Sequence, residues 1–271
     1  MMRLLPIALP LALPLALWAC SDEKTAAPMP TTAAASPAAP AAAKAQPGGQ
    51  ARTIKVSNEL YEFEYSYPAQ AAAIPALKAM LDADLTRQQA ELTKEAREEA
   101  HAAKASDFPF RQHSRSYNWQ VVTETPGWLS LSSQVGAYTG GAHPNYWFSA
   151  ILWDKSAGQA RPALALFAAK EALSNAIRKP FCAELNRQRA EKRGAPVNPA
   201  SSEMFDECID PLAQTVILGS SNGRSFNRIG ILVPPYEAGP YAEGAYEVTL
   251  PVSAAVVAAV KGEYRPSFEV K

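Results

Sequence analysis

The chain has 271 residues, of which 48% are apolar, 9% aromatic and 19% charged, with 26 basic and 26 acidic side chains. This balance excludes a basic nucleic-acid binder, whose affinity comes from neutralised phosphates, and it also excludes an acidic disordered chain. The length and the apolar fraction predict one or two globular domains with a sizeable core.

The N-terminus, residues 1–19, predicts an export signal. Arg3 precedes an apolar stretch, Leu4 to Trp18, which is too short for a membrane span and contains three prolines. The stretch leads into Leu17-Trp18-Ala19-Cys20, which resembles the bacterial lipobox. The resemblance implies that the Cys20 thiol takes a diacylglycerol, that cleavage makes Cys20 the first residue and that its amine is acylated with a fatty acid such as palmitate. By the sorting rule of such lipoproteins, the resemblance together with Ser21 implies the outer membrane, facing the periplasm, if the cell has two membranes. A plain secreted protein is the alternative.

Residues 20–51 are predicted to be a flexible tether. Between Thr25 and Pro47, 16 of 23 residues are alanine or proline. Such a segment has little large apolar surface to offset the entropy that is lost on ordering. An alanine-rich helix is the alternative, but the five prolines of the segment oppose it. We expect the folded body to sample a range of distances from its membrane.

The first half of the folded body, residues 52–135, combines strand and helix patterns. Aromatic residues alternate with polar ones from Tyr61 to Tyr67, which is typical of a half-buried strand. Leucines at three- and four-residue spacing, with Gln88 filling a gap, indicate a long amphipathic helix. The predicted elements are a strand around Ile54 and Val56, a strand over Tyr61–Tyr67, a helix with Ile74, Leu77, Leu81, Leu85 and Leu92 on its buried face, and a hairpin of Tyr117–Thr123 with Trp128–Val135.

The second half, residues 136–271, continues the mixed pattern. The stretch Asn145–Trp153 is apolar on both faces, which predicts a central strand, and Pro180 is expected to break a helix. The predicted elements are this strand, helical stretches over about Ala168–Arg178 and on to about Arg193, a hairpin of Thr215–Leu218 with Arg228–Val233, a strand over Ala245–Leu250 and a helix over Ser253–Val260. Without a regular βαβ rhythm, the predicted class is α+β. We expect a mainly antiparallel sheet with a long N-terminal helix and a second helical segment packed on it.

Two cysteines remain once Cys20 is assigned to the lipid. Cys182 and Cys208 form an even pair in an oxidising compartment, so we expect a disulfide between them. Closing this loop stabilises the fold by about 3–4 kcal/mol in the chain-entropy account. No histidine lies near the pair at metal-ligand spacing, so we expect neither a metal site nor a cofactor.

None of the three histidines is assigned a catalytic role. His101 falls on a solvated helix end. His113 falls in a basic turn with Arg111 and Arg115. His143 follows two glycines, where a lone histidine is more often a structural hydrogen-bonding residue than a base. The sequence also contains no His-Glu-x-x-His pair or phosphate-binding loop. We therefore expect no enzymatic activity.

Two loops carry a resemblance to a known family. They are Tyr138-Thr139-Gly140-Gly141-Ala142-His143-Pro144-Asn145 and Pro235-Tyr236-Glu237-Ala238-Gly239-Pro240-Tyr241-Ala242-Glu243-Gly244. In this order they resemble an extracytoplasmic domain of unknown function. That domain is found in the lysozyme-sensing anti-sigma factor and in the non-catalytic N-terminal part of a membrane-bound peptidoglycan deacetylase. The resemblance covers roughly residues 52–260.

The resemblance implies an envelope domain associated with the cell wall or with proteins that act on it. It implies neither signalling nor deacetylation, because those activities depend on other parts of the family members. The first hypothesis is a non-enzymatic lipoprotein that binds peptidoglycan glycan or a muramidase-like protein. Aromatic rings offer apolar faces to sugars. The candidate binding residues are Tyr138, Gly140, Gly141, His143, Asn145, Tyr236 and Tyr241.

Two alternatives stay open. A structural or assembly lipoprotein would bind another envelope protein, and a cell-wall hydrolase would use His143 with a nearby acid. An open groove between the two loops would favour ligand binding, whereas tight packing of the loops against each other would favour scaffolding. No nucleic-acid partner is expected.

Overall fold

The structure is a computed structural model that describes residues 49–198, 201 and 203–271. The predicted signal peptide, the predicted lipidation site Cys20 and the rest of the predicted tether up to residue 48 lie outside the described residues. The described chain forms two sheets and four α-helices, which confirms the α+β class. None of its helices has the length and apolar character that crossing a membrane requires.

Six strands form the larger sheet and lie side by side in chain order. They are β1 (Arg52–Ser57), β2 (Tyr61–Tyr67), β3 (His113–Glu124), β4 (Trp128–Tyr138), β5 (Asn145–Asp154) and β6 (Gln159–Arg161). All neighbours are antiparallel except β2 and β3. This one parallel pair needs a crossover, which runs through the short helix α1 (Ala69–Ala72) and the long helix α2 (Pro75–Ala105).

Helix α2 covers one face of this sheet and forms a first core with it. The alternation in β2 places its four aromatic side chains, from Tyr61 to Tyr67, in this core. The predicted leucine face of α2 is buried as well, with Gln88 in the gap as expected. Burial of each such apolar side chain contributes about 1.5–3 kcal/mol relative to exposure.

The second core forms around a three-stranded antiparallel sheet. Its strands are β7 (Thr215–Gly219), β8 (Arg228–Val233) and β9 (Tyr246–Pro251), and the helices α3 (Lys170–Arg193) and α4 (Ala254–Ala259) bury residues in the same core. The predicted hairpin of β7 with β8 is confirmed. Trp128 of β4 and Leu152 of β5 also belong to this second core. The two sheets are therefore packed against each other, with the first core on the far side of the larger sheet.

Helix α3 continues through Pro180, so the predicted break at this residue is wrong. Leu173, Ile177, Phe181 and Leu185 keep a four-residue spacing and are all buried, which holds both parts of the helix on one surface. Pro180 itself is exposed. Water can there satisfy the carbonyl that the missing N–H leaves free, so packing outweighs the local cost of proline.

Strand β5 is not the central strand that its apolar sequence predicts. Within the described chain only Leu152–Asp154 pair with β6, so most of β5 is an edge of the larger sheet. Trp147 is 39% exposed. The backbone oxygen of Phe148 accepts a hydrogen bond of 3.1 Å from the hydroxyl of Thr215 at the start of β7. The residues of β5 thus contact the second sheet as well as the first core.

His113 does not lie in a turn, as the basic residues around it suggest. It is the first residue of β3 and pairs with Tyr61 of β2. Its ring is only 3% exposed and packs beside Phe110, with ring centroids 5.4 Å apart. Burial is the largest cause that lowers the pKa of this imidazole below its ordinary value.

Candidate functional site

The two loops singled out in the sequence lie side by side in the structure. The first connects β4 to β5 and the second connects β8 to β9. The hydroxyl of Tyr146 joins them, because it accepts a hydrogen bond of 2.9 Å from the backbone N–H of Ala245. A Cβ at Gly244 would lie 3.3 Å from that hydroxyl, and this glycine has a φ of +66°. Tyr146 was not among the predicted site residues. A tyrosine in an otherwise apolar strand could have identified it, because its hydroxyl needs a hydrogen-bond partner.

Three of the predicted binding residues meet at this junction and form what we call the aromatic cluster: His143, Tyr236 and Tyr241. The rings of His143 and Tyr241 are stacked with centroids 4.1 Å apart. The rings of Tyr236 and Tyr241 lie 5.7 Å apart. His143 and Tyr236 are exposed and Tyr241 is half-buried. The cluster therefore fills the space between the two loops while two of its side chains still face solvent.

The hydrogen bonds of His143 define its tautomer. Nδ1 lies 2.8 Å from the backbone oxygen of Pro144, which can only accept, so Nδ1 carries the proton. Nε2 is then the acceptor, and the hydroxyl of Tyr236 donates to it over 3.1 Å. In this arrangement neither ring nitrogen of His143 contacts a carboxylate of the described chain. The imidazole links the two loops directly.

Tyr236 has an unusual backbone. Its φ is +72°, in the left-handed region that bulky residues rarely adopt, and its N–H donates to the oxygen of Gly239 over 3.0 Å in a tight turn. Such a conformation costs on the order of 1–3 kcal/mol. The side chain is 48% exposed, so burial of the ring does not offset this cost in full. The turn thus places a large aromatic ring at the surface at the expense of stability.

The other predicted binding residues shape the first loop and do not join the aromatic cluster. The hydroxyl of Tyr138 donates to the oxygen of Gly141 over 3.0 Å, and a guanidinium nitrogen of Arg111 donates to the same oxygen over 3.1 Å. Gly140 has a φ of +85°, which explains a glycine at this position. The side-chain oxygen of Asn145 accepts from the N–H of Tyr146. These four residues fix the path of the chain toward His143.

The predicted disulfide is present. Cys182 of α3 is bonded to Cys208, with Cα atoms 5.5 Å apart. Across residues 49–198, 201 and 203–271, no three histidine, cysteine, aspartate or glutamate side chains are grouped so that they could hold a metal ion.

Comparison with known proteins bears out the resemblance for part of the chain. Residues 54–146 match the family described as Deacetylase PdaC. The match runs from β1 to the start of β5 and includes His143, but it ends before Tyr236 and Tyr241. No curated protein matches the chain.

Two solved structures resemble this one at low sequence identity. One is a DUF3298 family member from Bacteroides fragilis, with 14% identity and a TM-score of 0.47 over 75% of this chain and 90% of that one. The other is a DUF3298 family protein from Pseudomonas aeruginosa, with 13% identity and a TM-score of 0.48 over 82% of this chain and 98% of that one.

Proposed function

We propose that this protein is a non-enzymatic, lipid-anchored module of the cell envelope that binds a protein partner through the aromatic cluster. A muramidase-like protein is the partner class that the family resemblance favours. Cell-wall glycan is the competing ligand, and the experiment below separates the two.

The observation that carries the proposal is the exposed Tyr236 in a strained backbone. A glycine would adopt a φ of +72° without strain, so the tyrosine costs stability that only its side chain can justify. The ring is held in one position by its hydrogen bond to His143. Tyrosine is among the residues most enriched at the energetic centres of protein interfaces, because it offers a large contact area at a low entropy cost.

The packing of the two loops favours a protein surface over a sugar as the ligand. Small-ligand sites are concave and enclose most of the ligand. The stacked rings of His143 and Tyr241 leave no room for a sugar ring between the loops. Tight packing of the two loops is also what the structural or assembly alternative predicts, and in that alternative the ligand is again another envelope protein.

The hydrolase alternative gains no support from His143. A general base needs a free nitrogen within reach of a substrate proton and a group that orients the ring. The orienting bond exists, from Nδ1 to the oxygen of Pro144, but Nε2 is already occupied by the hydroxyl of Tyr236.

Binding of the purified, oxidised, full-length protein to two probes tests the proposal. The probes are lysozyme, as a muramidase, and purified peptidoglycan sacculi. We expect saturable binding to lysozyme, and we expect Tyr236→Ala and His143→Ala each to weaken it about tenfold or more, as removal of an interface centre does. His101→Ala, on the exposed end of α2, is the matched control and should bind as wild type does. Sedimentation with sacculi that depends on Tyr236, without binding to lysozyme, would show that the ligand is glycan.

A further inference from the structure

The segment that carries Tyr236 and Tyr241 is attached to the end of helix α3 by charged hydrogen bonds. Three basic residues in the last two turns of the helix make these contacts: Arg189, Lys192 and Arg193. They donate both to the segment itself and to the chain just before Cys208. The position of Tyr236 and Tyr241 therefore depends on helix α3.

Arg193 bridges two carboxylates on different parts of the chain. Its Nε donates to Glu243 over 2.9 Å and one Nη donates to Asp206 over 2.7 Å. The other Nη lies 3.4 Å from the oxygen of Ala238. The side chains of Arg193, Asp206 and Glu243 are 21%, 17% and 14% exposed. Such sheltered, geometrically fixed ion pairs resist screening and hold their partners in place better than surface pairs do.

Arg189 reinforces the same attachment from inside the fold. It is fully buried, and its Nε donates to the oxygen of Ala238 over 2.9 Å. One Nη donates to the oxygen of Glu207 over 3.0 Å. Glu207 is next to Cys208, which is tied to α3 by the disulfide. The oxygen of Ala238, which lies between the two tyrosines in sequence, thus faces two guanidinium groups.

The far end of the segment is held as well. The ammonium group of Lys192 donates to the backbone oxygens of Glu243 and Ala245 over 2.7 and 2.5 Å. The hydroxyl of Tyr246, at the start of β9, donates to the carboxylate of Glu243. Glu243 is therefore the point at which the helix, the segment and the last strand meet.

We infer that Arg193 is a positioning residue for the aromatic cluster. It fixes Ala238 and Glu243, which flank Tyr241 in sequence, and so sets where the tyrosine rings meet His143. The choice of Arg193 over Arg189 follows from burial, because loss of the fully buried Arg189 would leave several carbonyls without partners and would unfold the region. The functional consequence rests on the proposed function, since it assumes that the cluster is the contact surface.

The test combines a structural readout with a binding readout on the full-length protein. In Arg193→Gln we expect NMR to show a shifted His143 Nε2 resonance and weaker ring contacts between His143 and Tyr241. We also expect roughly tenfold weaker binding to lysozyme. Arg193→Lys should give intermediate values, because an ammonium group reaches one carboxylate but does not bridge two in a fixed geometry. Glu243→Gln removes the same bridge from the other side and should reproduce the NMR change.

Arg187→Gln is the matched control. Arg187 is on the same helix and pairs with Glu184 and Glu191 within the helix over 2.7 and 3.0 Å, so its loss should leave the NMR signals of the cluster unchanged. Wild-type ring contacts in folded Arg193→Gln and Glu243→Gln would overturn the inference. Altered ring contacts in a protein whose wild type does not bind lysozyme would instead contradict the proposed function and leave the positioning role supported.

Discussion

The hydroxyl of Tyr236 lies 3.1 Å from Nε2 of His143, although 93 residues separate the two in the chain. His143 lies beyond the end of β4 in the larger sheet, and Tyr236 lies beyond the end of β8 in the smaller one. The hydrogen bond therefore reports how the two sheets are packed. A change in either core that shifts one sheet against the other would separate these two groups.

Replacement of Tyr236 by glycine should separate stability from binding. We expect the free energy of unfolding to stay the same or to rise by up to about 1 kcal/mol, because glycine adopts the left-handed backbone without strain. Binding to the partner should be lost with the ring. Tyr236→Ala is the control, because it removes the ring but keeps the strain, and it should be less stable than Tyr236→Gly. Urea denaturation measures the free energy of unfolding of both variants. A glycine variant less stable than the alanine variant would contradict the strain account.

Removal of the disulfide should destabilise the fold. In a Cys182→Ala, Cys208→Ala double variant we expect the free energy of unfolding to fall by about 3–4 kcal/mol, because the unfolded chain regains the freedom that the cross-link removes. Guanidinium denaturation with and without reductant measures the effect. Reductant should destabilise wild type and leave the double variant unchanged. Equal stability of oxidised wild type and the double variant would show that the bond contributes little.

Burial of His113 predicts an acid-sensitive stability. In the described chain neither ring nitrogen of His113 has a hydrogen-bond partner, and burial lowers its pKa below the ordinary 6.5. Arg115 adds to this lowering, whereas Glu95 and Glu99 of α2 oppose it. As the pH falls, the imidazole is protonated in the unfolded chain before it is protonated in the folded one. The stability that the fold has with a neutral His113 is therefore present above pH 6.5. It is lost as the pH falls from 6.5 through the lower folded-state pKa.

The measurement for His113 is the free energy of unfolding between pH 7.5 and 5. We expect His113→Leu to reduce the decline in this range relative to wild type. His101→Leu should not, because His101 is exposed on the surface of α2. An unchanged pH dependence in folded His113→Leu would show that His113 does not contribute to it.

The lipid anchor at Cys20 stays a prediction of the sequence. Mass spectrometry of the native protein should show a chain that begins at Cys20 and carries acyl groups. In Cys20→Ala we expect the protein to leave the membrane fraction, because each buried CH₂ of the lipid contributes about 0.8 kcal/mol to anchoring. An unacylated N-terminus in membrane-bound wild type would contradict the anchor.

The sequence predicted those strands and helices whose buried face is marked by regularly spaced apolar residues. The alternation of Tyr61–Tyr67 and the spacing of Leu77, Leu81 and Leu85 correspond to a strand and a helix that each bury one face. The two glycine-bearing loops were also predicted, because turns that need positive or fixed φ are rich in glycine and proline. The pairing of Cys182 with Cys208 needed only the count of cysteines.

Features that depend on distant packing were not visible in the same way. The apolar spacing on both sides of Pro180 is readable in the sequence, but whether burial of that face outweighs the proline depends on the second core. The parallel pairing of β2 with β3 depends on the crossover through α2 rather than on either strand. Arg193 and Glu243 are ordinary charged residues in the sequence and acquire a role only when α3 meets the second loop.

Photo-crosslinking from position 236 in intact cells tests the central claim most directly. A photoreactive phenylalanine derivative replaces Tyr236, and the same derivative at His101 serves as the control. We predict a discrete, protease-sensitive adduct from position 236 that mass spectrometry identifies as a muramidase-like protein, with no such adduct from position 101. Adducts that contain only cell-wall glycan, or equal yields from the two positions, would contradict the account.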